Sequence, residues 1–148
     1  MTEKVLVKIK KISANAKVPT YATSGAAGMD LYAANEEPIT LQPLERKLIP
    51  LGFTMELPHN CEAQIRPRSG MAIKHGITLI NCVGTVDEDY RGEVCVGIVN
   101  ISNEAYTIKT GDRIAQMVIA TVTKAEIEEV FELAETQRGS GGFGSTGY

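Results

Sequence analysis

Apolar and polar residues alternate along much of this chain, and that alternation most constrains the fold. The segment CEAQIR, residues 61–66, shows the pattern in its simplest form. A period of two is typical of strands with one buried face. The predicted strands cover residues 4–10, 51–57, 61–66, 77–83, 93–101 and 113–122, of which the last three are richer in β-branched residues and are predicted to be more fully buried. Because prolines keep the segments short, the pattern predicts an all-β sandwich or barrel.

Two segments depart from this period. Residues 69–76, SGMAIKHG, begin with a serine suited to a helix N-cap and end with a glycine suited to the C′ position. They predict one short helix. Residues 124–135 carry apolar side chains at helical spacing among helix-favouring Glu, Ala and Lys, so their pattern alone predicts a second helix.

Length and charge limit what the chain does. Its 148 residues suit one domain with a single core. A net charge of −3 argues against a general nucleic-acid binder, which would carry a basic surplus. No apolar run approaches the ~20 residues that span a bilayer, and residues 1–11 lack the continuous apolar stretch of a secretory signal. We therefore expect a soluble cytoplasmic protein with no nucleic-acid or membrane partner.

The cysteines and histidines predict no disulfide or zinc site. Cys61, Cys82 and Cys95 lie in apolar or alternating segments and form no C-x-x-C pair. We interpret them as reduced thiols in the core. His59 and His75 have no spacing that is typical of zinc ligands.

The composition changes at Arg138, where a glycine-rich tail, residues 138–148, follows a predicted domain of residues 1–137. Five of the chain's 14 glycines lie in this tail. Tails rich in Gly and Ser are usually flexible linkers, but this one adds Arg, Ser and Thr donors to exposed backbone N–H groups, a combination that suits a polyphosphate. It is not a nucleotide-binding P-loop, because Ser145 stands where that loop needs a lysine.

The densest polar cluster is GTVDEDYRGEV, residues 84–94, which we interpret as a β-hairpin with a polar tip. Its acids, Asp87, Glu88 and Asp89, have two interpretations. They are solvated turn residues, or one of them is a general base or a metal contact. Tyr90 offers an aromatic face at the same tip. This segment alone leaves the choice open.

Three further positions carry polar groups whose roles are ambiguous. Arg68 and its neighbour Arg66 precede the predicted helix, where arginine and a helix start both favour anions, although pairing with surface acids is the alternative. Gln116 interrupts an apolar strand and would ordinarily face solvent. Asp30 lies between apolar neighbours, and we expect a strand acid that is either paired or exposed.

Five segments together resemble, in content and order, the motifs of the trimeric deoxyuridine triphosphatases, the dUTPases. They are AGMDLYAA (27–34), RPRSGMA (66–72), NCVGTVDEDYRGEV (81–94), GDRIAQMVI (111–119) and RGSGGFGSTG (138–147). The resemblance implies a distorted jelly-roll fold and a homotrimer with exchanged C-terminal arms and composite active sites. It also implies hydrolysis of dUTP to dUMP and pyrophosphate, with Mg²⁺ held by the substrate phosphates and water rather than by protein ligands.

The resemblance implies a role for each matching residue. Asp87 matches the carboxylate that activates the attacking water, Tyr90 the ring that packs on the deoxyribose, and Asn81 the amide that faces uracil. We expect the catalytic residues to be Asp87, Arg138, Gln116 and Asp30. The other matches are substrate contacts, namely Arg68, Ser69, Gly70, Gly84 and Val86 in the domain and Ser140, Gly141, Gly142, Phe143, Gly144, Ser145 and Thr146 in the tail, where Phe143 matches the aromatic over uracil and the tail as a whole a flexible lid.

The resemblance also changes one local prediction and leaves two alternative functions to weigh. It implies an extended arm over residues 124–135, against their helical spacing. A related dCTP deaminase would lack the Asp-Tyr motif and the full tail. A catalytically silent nucleotide-binding β module would have lost Asp87 or the tail, and both are present. An enzyme of this family would keep uracil out of DNA and supply dUMP for dTMP synthesis.

Overall fold

The computed structural model describes residues 4–147, which form short strands and one helix. The strands are β1 (Lys8–Lys11), β2 (Thr20–Tyr21), β3 (Met29–Tyr32), β4 (Ile39–Leu41), β5 (Arg46–Pro50), β6 (Phe53–Glu56), β7 (Cys61–Arg66), β8 (Ile77–Leu79), β9 (Gly84–Val86), β10 (Cys95–Asn100), β11 (Tyr106–Ile108) and β12 (Arg113–Thr121). The helix, α1 (Ser69–His75), lies between β7 and β8. The all-β prediction with one short helix is therefore confirmed.

The strands pair antiparallel in four sheets. The largest has the order β2-β3-β12-β7-β9, and a three-stranded sheet has the order β5-β10-β8. Two pairs, β1-β6 and β11-β4, complete the arrangement. Neighbouring strands are mostly distant in sequence, as in a jelly roll, so distant motifs meet in space. In particular, β12 joins β3 on one side and β7 on the other.

The predicted alternation produces the core. In β7, Cys61, Ala63 and Ile65 are buried while the residues between them are half-buried. The largest fully buried side chains come from all four sheets and the segments between them, and include Leu31, Leu41, Ile49, Leu51, Phe53, Ile98, Ile114 and Met117. Burying one such side chain stabilises the fold by roughly 1.5–3 kcal/mol.

Five of the six strand predictions were too long; besides the three described next, residues 51–57 shorten to β6 and residues 113–122 to β12. β1 begins at Lys8 rather than Lys4, and Val5 is exposed. β8 ends at Leu79, because Ile80 and Val83 turn outward and are about half exposed. β10 covers Cys95–Asn100 rather than 93–101. The apolar residues continue past the regular ladders, where only isolated backbone bonds persist, such as those from the N–H of Ile80 to Gly97 and from the N–H of Val94 to Phe53.

The hairpin predicted over residues 84–94 is wrong. β9 pairs with β7 in the large sheet, whereas β10 pairs with β5 and β8 in the other main sheet. Residues 87–94 therefore cross between sheets. Alternation identifies a strand but not its partner, which is why the sequence pattern could not distinguish a hairpin from a crossover.

Helix α1 ends as predicted and begins one residue earlier. Gly76 is the C-cap with φ 63°, and its N–H bonds back to the last turn. The N-cap is Arg68 rather than Ser69, in extended conformation and without a side-chain cap. Its carbonyl accepts the N–H of Ala72 at 3.1 Å, the first bond of the helix.

Residues 124–135 are neither helix nor strand, so the helix that their spacing predicts is wrong and the coil that the family resemblance allowed is observed. Isolated helices of this length gain little without a packed face, and these side chains have none in the single chain. Within residues 4–147, no helix has the length and apolar character needed to cross a membrane.

The cysteines follow the sequence interpretation only in part. All three are free. Cys61 is buried and Cys95 is half-buried, where burial and then the charge of Glu93 raise the pKa of the Cys95 thiol. Cys82 is exposed, so its assignment to the core is wrong. It follows the end of β8, where the chain leaves the sheet.

Candidate active site

One group of predicted site residues lies where β3, β12 and the start of α1 meet. We call it the Asp30 cluster; its members are Asp30, Arg68, Ser69, Gly70, Arg113 and Gln116. Oδ1 of Asp30 lies 3.6 Å from Nε of Arg68, and its Oδ2 lies 3.3 Å from Nη1 of Arg113. The Asp30 side chain is only 15% exposed, which settles the sequence ambiguity in favour of a paired acid.

Arg68 is held from a second direction as well. Its Nη1 donates to the carbonyl oxygen of Arg113 at 3.0 Å. The ion pair and this hydrogen bond fix the guanidinium beside the exposed start of α1, where Ser69 and Gly70 lie. The cluster thus presents two arginines in fixed positions next to free backbone groups, which suits an anion.

Gln116 belongs to the same cluster and does not simply face solvent, as a lone polar residue in a strand would. It is half-buried, and its Nε2 donates to the carbonyl oxygen of Pro67 at 3.0 Å. On its other side, Gly28 approaches so closely that an added Cβ would lie 3.2 Å from Cβ and Cδ of Gln116. Gln116 therefore ties the first, second and fourth motifs together.

A cavity of about 500 Å³ adjoins the Asp30 cluster. It is lined by Arg68 and Arg113 and, further along α1, by Lys74. The rings of His75 and Tyr106 lie 5.0 Å apart at its wall. Burial, and then the nearby Asp112, raise the pKa of Tyr106. Sequence reasoning assigned no role to Arg113 or Lys74. The available signal was position, because Arg113 lies within the fourth motif and Lys74 shortly after the second.

A second group lies on the segment between β8 and β10, residues 81–94, which we call the crossover segment. Asn81, Gly84 and Val86 line a cavity of about 60 Å³ together with Cys95 and Gly97. Gly84 is buried against Ile65 of β7, whereas Asn81 is exposed. The arrangement leaves a small, narrow space with an amide at its mouth.

Asp87 lies further along the crossover segment and is exposed. It lines a separate cavity of about 450 Å³ with Glu62, Glu88 and Lys124. The neighbouring acid, Glu88, is already engaged, because Nδ1 of His59 lies 3.0 Å from one oxygen and the N–H of Asn60 donates to the other at 2.6 Å. Of the three acids in this segment, Asp87 and Asp89 are thus exposed, and both line this cavity.

Those two contacts also tune Glu88. The hydrogen bond with His59, and next the backbone donor of Asn60, hold the pKa of the Glu88 carboxyl below its usual value. Glu88 therefore stays ionised and fastens the crossover segment to the turn before β7. It is a structural anchor rather than a candidate base.

Tyr90 is folded back onto its own segment. Its hydroxyl donates to the carbonyl oxygen of Glu93 at 2.9 Å, and its N–H bonds the carbonyl of Asp87 at 3.2 Å. The side chain is 45% exposed, so one ring face remains accessible.

The third group is the tail, described here over residues 138–147; Tyr148 lies outside the described residues. It is exposed throughout except at Gly141, and Phe143 is fully exposed with φ 52°. Its backbone bonds are local: the N–H of Gly141 bonds to Arg138 O at 3.2 Å and that of Ser145 to Gly142 O at 3.0 Å. The tail makes turns of its own, which engage some of its N–H donors and leave its side chains exposed.

Within residues 4–147, no hydrogen bond or ion pair joins these three groups to one another. The structure brings together Asp30, Arg68 and Gln116, as well as Asn81, Gly84 and Val86. It leaves Asp87 and Tyr90 further along the crossover segment and the tail apart from both. A single chain therefore carries all the predicted residues but does not gather them at one place.

The fold and these three groups define a class of β protein. Its members would carry a fixed arginine cluster, a crossover segment with exposed carboxylates and a separate donor-rich tail. Comparison with known proteins then identifies the family. The sequence model of the dUTPase family matches residues 14–147. The chain belongs to the dUTPase family.

Individual relatives agree with this assignment. The deoxyuridine 5'-triphosphate nucleotidohydrolase of Finegoldia magna is 57% identical over 143 residues, which cover 96% of this chain and 100% of that protein. The Cytophaga hutchinsonii protein of the same name is 59% identical over 141 residues, covering 95% and 91%. Among solved structures, the dUTPase of Staphylococcus bacteriophage 80alpha with dUpNHpp superposes with a TM-score of 0.89 at 26% identity, covering 97% of this chain and 99% of that one.

Proposed function

We propose that this chain hydrolyses dUTP to dUMP and pyrophosphate, at sites that are completed only in a homotrimer. The observation that carries the proposal is the separation of the motif residues into three groups. Each group offers a different part of the chemistry: fixed cations in the Asp30 cluster, an open carboxylate and a narrow amide-edged space on the crossover segment, and mobile donors on the tail. Three chains arranged around one substrate would supply all of them together.

The phosphates would lie on the Asp30 cluster. Arg68 would neutralise their charge, while Ser69, Gly70 and Gln116 contribute hydrogen bonds. Asp30 would act by holding the guanidinium of Arg68 in place, since its Oδ1 lies 3.6 Å from Nε of Arg68 and both side chains are partly buried. Phosphoryl transfer depends mainly on such positioning and on charge stabilisation.

Asp87 would accept a proton from the water that attacks the α-phosphorus in line. Its exposure supports this choice over Glu88, whose two oxygens are occupied, whereas the equally exposed Asp89 is set aside only because Asp87 is the acid that matches the family motif. A general base must lie within hydrogen-bond reach of its water, which an engaged carboxylate does not offer.

Mg²⁺ would arrive with the substrate. Among the described residues, no three His, Cys, Asp or Glu side chains group as ligands of one cation, and the oxygens of Asp30 already face arginines. This donor set fits a metal bound by the triphosphate and water. When bound, Mg²⁺ would stabilise the charge that develops on the phosphates.

Selectivity for the base and sugar would come from the crossover segment. The narrow space beside Asn81, Gly84 and Val86 suits a uracil edge bonded by an amide and backbone groups. Cytosine would leave buried polar groups mispaired, at a cost of about 1–3 kcal/mol each. A thymine methyl would clash, and Tyr90 would leave no room for a ribose 2′-hydroxyl.

The tail, residues 138–148, would close as a lid on a site of another subunit. Arg138 would contact the phosphates together with donors from Ser140, Gly141, Gly142, Gly144, Ser145 and Thr146. Phe143, fully exposed in the single chain, would cover the uracil. Closure excludes water from the reacting groups and strengthens each electrostatic contact. This division makes residues 1–137 the folded domain and the tail its lid.

In the cell the enzyme would keep uracil out of DNA and supply dUMP for dTMP synthesis. We place it in the cytoplasm, and its three free thiols agree with a reducing compartment.

Substrate choice is tested by pyrophosphate release from dUTP, dCTP, dTTP and UTP, each with Mg²⁺. We expect turnover of dUTP and at least about a hundredfold lower kcat/KM for the other three. Comparable rates with all four would refute the proposed substrate. Ammonia release from dCTP would instead identify a deaminase, and dUTP binding without any turnover would identify a silent binding module.

The composite site is tested by complementation. An Asp87→Asn chain and a chain lacking residues 138–148 are each expected to be nearly inactive. Co-expression should restore activity, because a mixed trimer contains sites with an intact Asp87 from one chain and an intact tail from another. If each tail served its own chain, no mixed site would be complete and activity would not return. Light scattering of the purified protein checks that it is a trimer.

A further inference from the structure

Gly92 is a glycine that its backbone conformation does not explain. Its φ lies outside the left-handed region, unlike that of Gly52, Gly76 or Gly111. An alanine would therefore meet no backbone strain there. The reason for a residue without a side chain must lie in its surroundings.

The side chain that occupies the space beside Gly92 is that of Tyr90. The three atoms nearest to a Cβ built on Gly92 all belong to the Tyr90 side chain, namely its hydroxyl oxygen and the ring atoms Cζ and Cε2, and Cζ would stand 2.6 Å away. Real Cβ atoms are essentially never so close to another heavy atom, so the ring would have to move. An aromatic ring is rigid and turns only about χ1 and χ2, and it cannot yield by bending as a long side chain would.

The ring is also fastened at its outer end. The Tyr90 hydroxyl donates to the carbonyl oxygen of Glu93 at 2.9 Å. Glu93 is itself held, because its Oε1 accepts the N–H of Gly52 at 3.0 Å. Gly92 thus leaves space beside the ring while Glu93 fixes its tip, and Tyr90 as a whole remains 45% exposed.

We propose that Gly92 is a positioning residue that sets sugar selectivity. Because it has no side chain, it leaves the space in which the Tyr90 ring is held, next to the position that the 2′-carbon of the bound nucleotide would occupy. The proposal rests on the proposed role of Tyr90 at the sugar. A side chain at position 92 would push the ring out of its position, remove its packing on deoxyribose and open room for a 2′-hydroxyl. Asp87 and the phosphate contacts would stay in place.

The test is the ratio of kcat/KM for dUTP to that for UTP in Gly92→Ala. We expect this ratio to fall by about tenfold or more, since displacements near 1 Å cost up to about a hundredfold in positioned reactions. Gly25→Ala is the matched control, because nothing lies within 4 Å of a Cβ at Gly25 and its φ is also ordinary. An unchanged ratio in folded Gly92→Ala would overturn the proposal.

A double-mutant cycle separates positioning from a general loss of structure. In a Tyr90→Ala background the ring is absent, so adding Gly92→Ala should change the dUTP:UTP ratio no further. Additive losses would contradict action through Tyr90. If Gly92→Ala alone does not fold, the double variant carries the test, since the added methyl has room there. A wild-type enzyme that already turns over UTP as fast as dUTP would refute the proposed substrate instead, and this outcome is distinct.

Discussion

The Asp30 cluster and the tail contain nearly the same chemistry and differ in how it is held. Both combine an arginine with serine and glycine, the composition that favours phosphate. In the cluster, Arg68 is fixed by Asp30 and by the carbonyl of Arg113. In the tail, Arg138 is exposed and the backbone bonds only to nearby residues. The donor set alone therefore does not determine whether a site is preorganised; its neighbours do.

This difference divides the energetic roles. The cluster is ordered when the domain folds, so the substrate does not bear that cost. Ordering the tail costs roughly 1–2 kcal/mol per residue in backbone entropy, which binding must offset. A lid that is expensive to close also reopens readily, and product release often limits turnover in enzymes with such lids.

The largest expected effect is at Asp87, the carboxylate of the site to which the Asp30 cluster and the tail would both contribute. Asp87→Asn should lower kcat by about a thousandfold or more, the usual scale for a general base, and leave dUTP binding intact. Stopped-flow turnover and calorimetric binding measure the two quantities. Glu62→Gln, an acid of the same cavity, is the matched control and should keep its activity. An Asp87→Asn enzyme with full activity would refute the base assignment.

Removing the tail tests the other side of the comparison. Truncation after Gln137 should lower kcat/KM for dUTP by about a hundredfold, because water exclusion and phosphate contacts are lost. The melting temperature and the trimeric state should not change, since the tail packs on nothing in its own chain. A truncated protein that is unfolded, or one that is fully active, would contradict the role of the lid.

The two arginines allow the most direct comparison. Arg68→Ala should lower both activity and stability, the latter by about 1 kcal/mol, because it leaves the partly buried Asp30 with one partner. Arg138→Ala should lower activity alone. Thermal unfolding and dUTP turnover of both variants check this. Equal losses of stability would show that the tail is as firmly anchored as the cluster.

The smallest effect is expected at Glu88, whose side chain is 30% exposed. Its pKa is lowered in the folded state, so the unfolded chain binds more protons between the two pKa values. The contribution is present above the ordinary pKa and is lost as the pH falls through the lowered one. Wild type should therefore lose slightly more stability on acidification than Glu88→Gln. Melting temperatures at several acidic pH values, with Glu36→Gln as control, measure it. Identical acid profiles would show that the His59 contact contributes nothing.

The sequence predicted the strands better than their partners. β7 has the predicted bounds because its alternation matches a strand with neighbours on both sides. Residues 84–94 were predicted as a hairpin because the pattern reports a strand's faces but not which edge it meets. Residues 124–135 have helical spacing yet no packed face within the chain, and only the family resemblance indicated their extended course.

The candidate site followed the same division. Motif order predicted which residues belong to the site, but not which contacts hold them in place. That Asp30 is paired, that Gln116 bonds Pro67, and that Arg113 joins the cluster all depend on strands brought together by β12. The space that Gly92 leaves for Tyr90 depends on a local fold that no residue pattern describes.

The extended arm before the tail has a consequence for the newly made chain. Ile127, Phe131 and Leu133 are each at least 86% exposed on the single chain. Exposed apolar segments of this kind aggregate or bind chaperones during synthesis. In the proposed homotrimer, partner subunits would cover these side chains, so the segment would place a time limit on assembly, and a cell that made the chain faster than trimers formed would meet that limit first as insoluble protein.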